Sequence, residues 1–378
     1  MKQKKSLIAL ALTGLIGLSV QADVKVGVIV GATGPGASLG IPYKNTFSVL
    51  PKTLGGEAVQ YIIMDDGTDP TNAVKHARKL ITEDKVDLII GSSSVPAATS
   101  ITDISSELKT PQIALSPVGP AASKNPWVFT IPQPASIMMG AVADHMKANN
   151  VKNVAFIGFS DAWGDLVLNG LKTHADSAGI KLVAEERYGR NDTSVAGQIL
   201  KILATNPDAV VVGGSGTPGA LPHVTLSERG YKGKVYHNHG VINKDFLRVG
   251  GKSIDGGFAP TGPVMVAEQL PDSNPTKKPS LEFIKSYETS FGAGSRNAFA
   301  AYSYDAYLLA NNAVAEAIKK TKSGTPEFRQ ALRDALERVK NVNGTHAVYN
   351  MTATDHAGVD ARARVLVVID NGDWKLVK

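Results

Sequence analysis

The sequence predicts an α/β protein built as two doubly wound, Rossmann-like lobes, and three observations carry that prediction. Short apolar runs alternate with helix-like stretches, the pattern of parallel strands covered on both faces by crossover helices. The alternation runs once from Val24 to Leu115 and restarts at Val154. The chain has 378 residues, too many for one ordinary core and well suited to two.

In chain order, the first segment reads as a targeting signal rather than as structure. Lys2, Lys4 and Lys5 precede an apolar run from Leu7 to Val20, and Val20-Gln21-Ala22 supplies a small-residue cleavage site before Asp23. The run falls short of the ~20 residues a spanning helix needs. Val24–Val30 is the first strand and Val59–Met64 the second. Asp69-Pro70-Thr71 opens a helix with Ala73, Val74, Ala77, Leu80 and Ile81 on one face, because proline is suited to a first turn that needs no N–H. Val86–Ile90 is a third strand, Ser92 to Pro96 begins the next helix, and Gln112–Leu115 is a fourth strand. In the second series, residues 154–157, 181–184, 209–212 and 234–236 are strands, with helices near 162–178, 194–205 and 217–229. Later helices span 297–320 and 326–340, the second started by Thr325-Pro326 as cap and first turn. A hairpin around Asn371-Gly372 closes the chain, and Pro271–Pro279 reads as a surface loop.

Composition narrows the function. Removing residues 1–22, which hold three lysines and no acid, leaves 356 residues and lowers the net charge from +6 to +3. No basic stripe with interleaved aromatics is present, so nucleic acid is not an expected partner. The chain has no cysteine, which removes thiol catalysis, cysteine-bound metals and a lipid-carrying cysteine after the signal, and a chain this large needs no disulfides. The expected location is the periplasm, free of a lipid anchor.

In open α/β sheets ligands sit beyond the carboxyl ends of strands, so the residues after each strand are the candidates. Gly31, Gly34 and Gly36 miss the G-x-G-x-x-G spacing, with Pro35 between them, and mark a tight turn that aims Ser38 and Leu39 at a cleft rather than a nucleotide loop. Ser92, Ser93 and Ser94 gather hydroxyls at a helix start, an arrangement for a carboxylate; the competing role is plain N-capping, for which one serine would suffice. Ser116 and Val118 follow the fourth strand. In the second series Trp163 follows a strand as a stacking wall or a core residue, and Ser215, Gly216 and Thr217 repeat the hydroxyl-then-proline start. His237 and His239 on a strand would face one way, but with no third ligand nearby a hydrogen-bonding histidine is favoured over a metal site. No G-x-S-x-G elbow occurs, so no enzyme, metal or cofactor is expected.

The motifs Thr33-Gly-Pro, Asp65-Asp-Gly-Thr-Asp69-Pro-Thr-Asn, Ile90-Gly-Ser-Ser-Ser, Tyr304-Asp-Ala-Tyr and Asn371-Gly-Asp-Trp stand in order along the chain. Together they resemble the type I periplasmic binding proteins of the leucine/isoleucine/valine-binding class, over essentially the whole chain after residue 22. The resemblance implies a three-strand hinge with crossings near 131–134, 260–264 and 349–352. The first lobe would hold 24–132 and 263–350 and the second 133–262 and 351–378. It also implies a monomeric receptor that hands a small carboxylate ligand to the permease of an ABC importer. The ligand carboxylate would meet Ser92 to Ser94 and the Ser116 loop, with Trp163 and Ser215 to Thr217 closing from the other lobe. The family's acid for an ammonium group falls on His239, and a first-loop tyrosine on Leu39. A histidine cannot supply a carboxylate's charge, so the site left, with Leu39, Trp163 and Tyr302, suits an aromatic or hydrophobic acid. Trp127–Gln133, Phe159–Trp163 and His239–Asn243 are similar to the branch associated with benzoate-like and phenylpropanoid acids. The rival within the class is a branched-chain amino-acid receptor; a ligand sensor or an enzyme on the same fold are the rivals outside it.

Overall fold

The computed structural model describes residues 24–118 and 124–377; the expected signal peptide and the tip of the loop after the fourth strand lie outside them. The first series gives β1 (Val24–Val30), α1 (Ala37–Val49), β2 (Thr53–Leu54), β3 (Glu57–Asp65), α2 (Pro70–Thr82), β4 (Leu88–Gly91), α3 (Val95–Ser100), α4 (Thr102–Glu107), β5 (Gln112–Ala114) and β6 (Val128–Thr130). These strands form a six-stranded sheet in the order β2-β3-β1-β4-β5-β6, parallel apart from β2. The second series gives α5 (Ala135–Ala148), β7 (Asn153–Phe159), α6 (Ala162–Ala178), β8 (Lys181–Tyr188), α7 (Ala196–Ala204), β9 (Ala209–Gly213), α8 (Leu221–Glu228), β10 (Lys234–Tyr236), α9 (Lys244–Gly250) and β11 (Phe258–Thr261). There follow α10 (Lys277–Phe291), α11 (Ala298–Ala317), α12 (Pro326–Glu337), a short pair β12 (Val342–Asn343) and β13 (Val348–Tyr349), and the hairpin β14 (Val365–Asp370) and β15 (Asp373–Leu376). The second sheet has the order β15-β14-β11-β10-β9-β7-β8.

Burial on both faces explains why the strands read as continuous apolar runs. Leu88, Ile89 and Ile90 of β4 and Val210, Val211 and Val212 of β9 have no solvent exposure, and each such side chain contributes ~1.5–3 kcal/mol on leaving water. In each sheet the order reverses beside the first strand of its series, with β1 between β3 and β4 and β7 between β8 and β9. Loops that leave adjacent strands toward opposite faces open a crevice at that point. The segments after β1 and β4 in one lobe and after β7 and β9 in the other meet there.

The chain passes between the lobes after β6, where Ile131 to Pro134 lead into α5, and again after β11, through Gly262 and Pro263. The third passage lies later than 349–352. Met351 and Ala363 belong to the core of the first lobe, and the Thr130 N–H donates to the His356 carbonyl at 3.0 Å. Arg364 then reaches the second lobe, donating to the Ile137 carbonyl at 2.5 Å, and β14 begins at Val365. Residues 264–267 and Phe283 share a core with Phe246, Val367 and Trp374, so the stretch after 263 begins as a bridge against the second lobe. The loop expected over Pro271–Pro279 is cut short because α10 starts at Lys277.

Candidate functional site

The crevice holds a partly open slot of about 30 Å3. The slot is narrower than ordinary small-molecule sites, as two lobes drawn together would leave it. The first lobe contributes Leu39, Tyr43, Ser93, Ser94, Ser116, Phe299 and Tyr302, and the second contributes Trp163, Arg190, Ser215 and His239.

The three serines after β4 do three different things, and none caps a helix. Ser92 is fully buried beneath the slot and donates to Asp66 Oδ2 at 2.5 Å. Ser93 Oγ accepts from the Gly31 N–H at 2.8 Å, which leaves its proton for the slot. Ser94 stands at the N-cap position of α3 with no capping bond, and its buried hydroxyl has no partner. A buried hydroxyl without a partner is costly and calls for an explanation. Ser116 completes this side. Val118 faces a broader groove beside the slot, next to Leu166 and Pro134.

Across the slot, Trp163 lies in the first turn of α6, not in a loop. Asp161 caps that helix, its Oδ1 accepting from the N–H groups of Trp163 (2.9 Å) and Gly164 (3.3 Å). The indole donates to the Gly214 carbonyl at 3.3 Å and meets the His239 ring edge to face at 5.3 Å. His237 and His239 diverge, contrary to the strand-face expectation, because β10 ends at Tyr236 and His239 starts a 3-10 turn. Asn238 fixes that turn by donating to the Val212 (3.0 Å) and Gly214 (2.7 Å) carbonyls and accepting from the Gly240 N–H at 2.7 Å. His237 pairs with His223 at 2.9 Å inside the second lobe. Neither nitrogen of His239 makes a well-formed hydrogen bond, although the Gln133 backbone lies beside the ring, and burial pushes its pKa down to about 3, so it faces the slot as a neutral imidazole.

Arg190, after β8, carries no signal in the sequence because a lone arginine in a polar loop reads as solvated. It pairs with Asp161 Oδ2 at 2.6 Å, lies over the Phe159 ring at 4.3 Å and donates to Ser215 Oγ at 3.3 Å. No aspartate or glutamate lines the slot among the described residues. Gly216 and Thr217 face the opposite lobe rather than the slot. The Thr217 N–H donates to Ser38 Oγ at 3.2 Å. Gly216 has φ +58°, and a Cβ there would lie 2.6 Å from Leu39 Cδ1. Among the described residues no group of three His, Asp or Glu is placed to hold a metal, and no helix is long and apolar enough to cross a membrane.

Two largely parallel sheets with their switch points facing across one slot, served by three chain crossings, define a two-lobed solute-binding receptor of the type I fold. The chain belongs to the periplasmic binding protein family, whose model matches residues 23–373. An extracellular ligand-binding receptor from Rhodopseudomonas palustris HaA2 is 45% identical over 94% of this chain and 99% of its own, with a TM-score of 0.92. The Leu/Ile/Val-binding protein homolog 3 of Brucella melitensis is 25% identical over 311 residues, 79% of this chain and 82% of that protein. A solute-binding protein of an ABC transporter from R. palustris, solved in complex with benzoate, shares the fold at 20% identity, covering 94% of this chain and 95% of that one with a TM-score of 0.78.

Proposed function

We propose that this chain is the periplasmic receptor of an ABC importer, released by removal of residues 1–22, and that it captures a small aromatic or otherwise hydrophobic acid lacking an amino group. The observation that carries this reading is the charge inventory of the slot. Among the described residues its one charged lining residue is Arg190, and the acid nearest to it, Asp161, is committed to Arg190 and to the cap of α6. A ligand ammonium would be buried without an anionic partner, a loss of several kcal/mol. A carboxylate, by contrast, meets the Ser94 hydroxyl, the Ser93 proton and Arg190, while Leu39, Phe299, Tyr302 and Trp163 take an apolar body. His239 offers a neutral nitrogen to a second polar group. Closure follows from tighter binding to the closed arrangement than to the open one, and the closed pair of lobes is the form a permease would read. The branched-chain reading draws on the name of the Brucella relative and requires an anion that none of the described lining residues supplies.

Thermal unfolding of the purified protein with two panels tests this. One panel holds benzoate, phenylacetate and cinnamate, the other leucine, valine and phenylalanine. A ligand at 100 times its Kd adds ~2.7 kcal/mol. Stabilisation by the amine-free acids alone is expected; stabilisation by leucine or valine instead would overturn the proposal.

A further inference from the structure

Behind the slot, one aromatic ring is connected to all three crossings. Tyr302 on α11 lines the slot and is 1% exposed. Its hydroxyl donates to Gln133 Oε1 at 2.6 Å, and Gln133 sits on the first crossing. Gln133 Nε2 donates to the Ala363 carbonyl at 2.7 Å, at the third crossing. Only a carbonyl accepts there, so the amide orientation is fixed and Oε1 must face the tyrosine. The other face of Tyr302 stacks on His346, with centroids 3.8 Å apart and planes 15° from parallel. His346 in turn fills the space beside Gly262 on the second crossing, where a Cβ would fall 1.9 Å from Nδ1. Asp305, one helical turn after Tyr302, holds His346 in place by accepting from the N–H groups of Thr345 (2.7 Å) and His346 (3.0 Å) and from the Tyr349 hydroxyl (2.9 Å).

We infer that Tyr302 is a positioning residue that couples occupancy of the slot to the hinge, acting through Gln133 on the first and third crossings and through His346 on the second. A change in hinge angle moves the three crossings relative to one another. The chain of bonds from Tyr302 through Gln133 to Ala363 fits one setting of that angle, and a solute pressed against the Tyr302 ring favours that setting. This inference rests on the two-lobed receptor reading but not on the identity of the solute.

Because the chain has no cysteine, spin labels on Lys44→Cys in the first lobe and Thr193→Cys in the second report the interlobe distance cleanly. Distance distributions are compared for the parent, Tyr302→Phe, Gln133→Leu and the double variant, without added solute and then with benzoate. The expected result is a loss of the short-distance population of about fivefold in each single variant, the factor one net hydrogen bond is worth. The double variant should be no worse than either single one, as for residues in one network. A purely structural role would lower the melting temperature and leave the distributions where they are in the parent. That outcome in both single variants, with or without benzoate, would overturn the inference. If benzoate moves none of the four proteins, the proposal for the solute fails while the solute-free comparison still decides the hinge.

Discussion

At the level of single residues, the slot separates groups that hold the fold from groups left free for a solute. Ser94→Ala removes a hydroxyl that has no partner in the protein. It should leave thermal stability within about 0.5 kcal/mol of the parent while weakening acid binding about tenfold by titration calorimetry, as expected for a hydrogen bond to a charged group. Ser92→Ala should do the reverse, because that hydroxyl serves Asp66 and does not reach the slot. His239→Asp places a carboxylate where the neutral imidazole stands. Affinity for amine-free acids should then fall by more than tenfold, and an α-amino acid should become the better ligand; unchanged preference in competition assays would place the solute elsewhere. The sequence made Ser93, Ser94, Trp163 and Ser215 legible because they follow strand ends. Tyr43, Phe299 and Arg190 were not, since the first two reach the slot from helix faces that look like core, and the third has no patterned neighbours.

At the level of elements, the strands were readable wherever both faces are buried, and less so where one residue breaks the pattern. Pro260 sits inside β11, opposite Leu366 of β14, and a proline argues against a central strand when only the sequence is in view. Helix α1 contains Pro42 and α5 is buried on several sides through Met138, Met139, Val142 and Met146, so neither shows a clean amphipathic stripe. The start of α6 was legible as a helix, but not its second task, which is to carry Asp161 as both cap and partner of Arg190. Asp161→Ala should cost about 1 kcal/mol through the lost cap, read as an earlier melt. Asp161→Asn keeps the cap acceptor and frees the guanidinium, so it should hold most of that stability and bind an acid at least as tightly as the parent. Gly216→Ala should impair closure, because the new methyl meets Leu39 and the backbone there is left-handed; the spin-label distances would report it.

For the whole molecule, buried imidazoles set the response to acid. Burial lowers the pKa of His223 to about 4 and those of His239 and His346 to about 3, against ~6.5 in the unfolded chain. The unfolded state therefore takes up protons first, and stability falls as pH drops below about 6.5, down through these folded values. Asp305 works the other way: burial raises its pKa to about 6, so the folded state gains relative stability as pH falls from 6 toward 4. Burial also holds His145 and His237 below the usual imidazole range and raises Asp66 and Asp87 as it does Asp305; among the described residues five histidines thus stand against three aspartates, the balance is a net loss, and the melting temperature should decline between pH 7 and pH 5. A melting temperature that rises over that interval would mean these rings are not held neutral.

The closing hairpin has a consequence for how the chain is made. Strand β11 touches β10 at one pair, Tyr236 with Phe258, but runs beside β14 from Phe258 to Thr261. The second lobe thus lacks its edge protection until residues 365–376 leave the ribosome, long after the rest of its sheet. Until then β11 is a bare template for a neighbouring chain. A polypeptide stopped after Arg364 should therefore be a poor refolder, prone to pair with its own copies at the vacant edge.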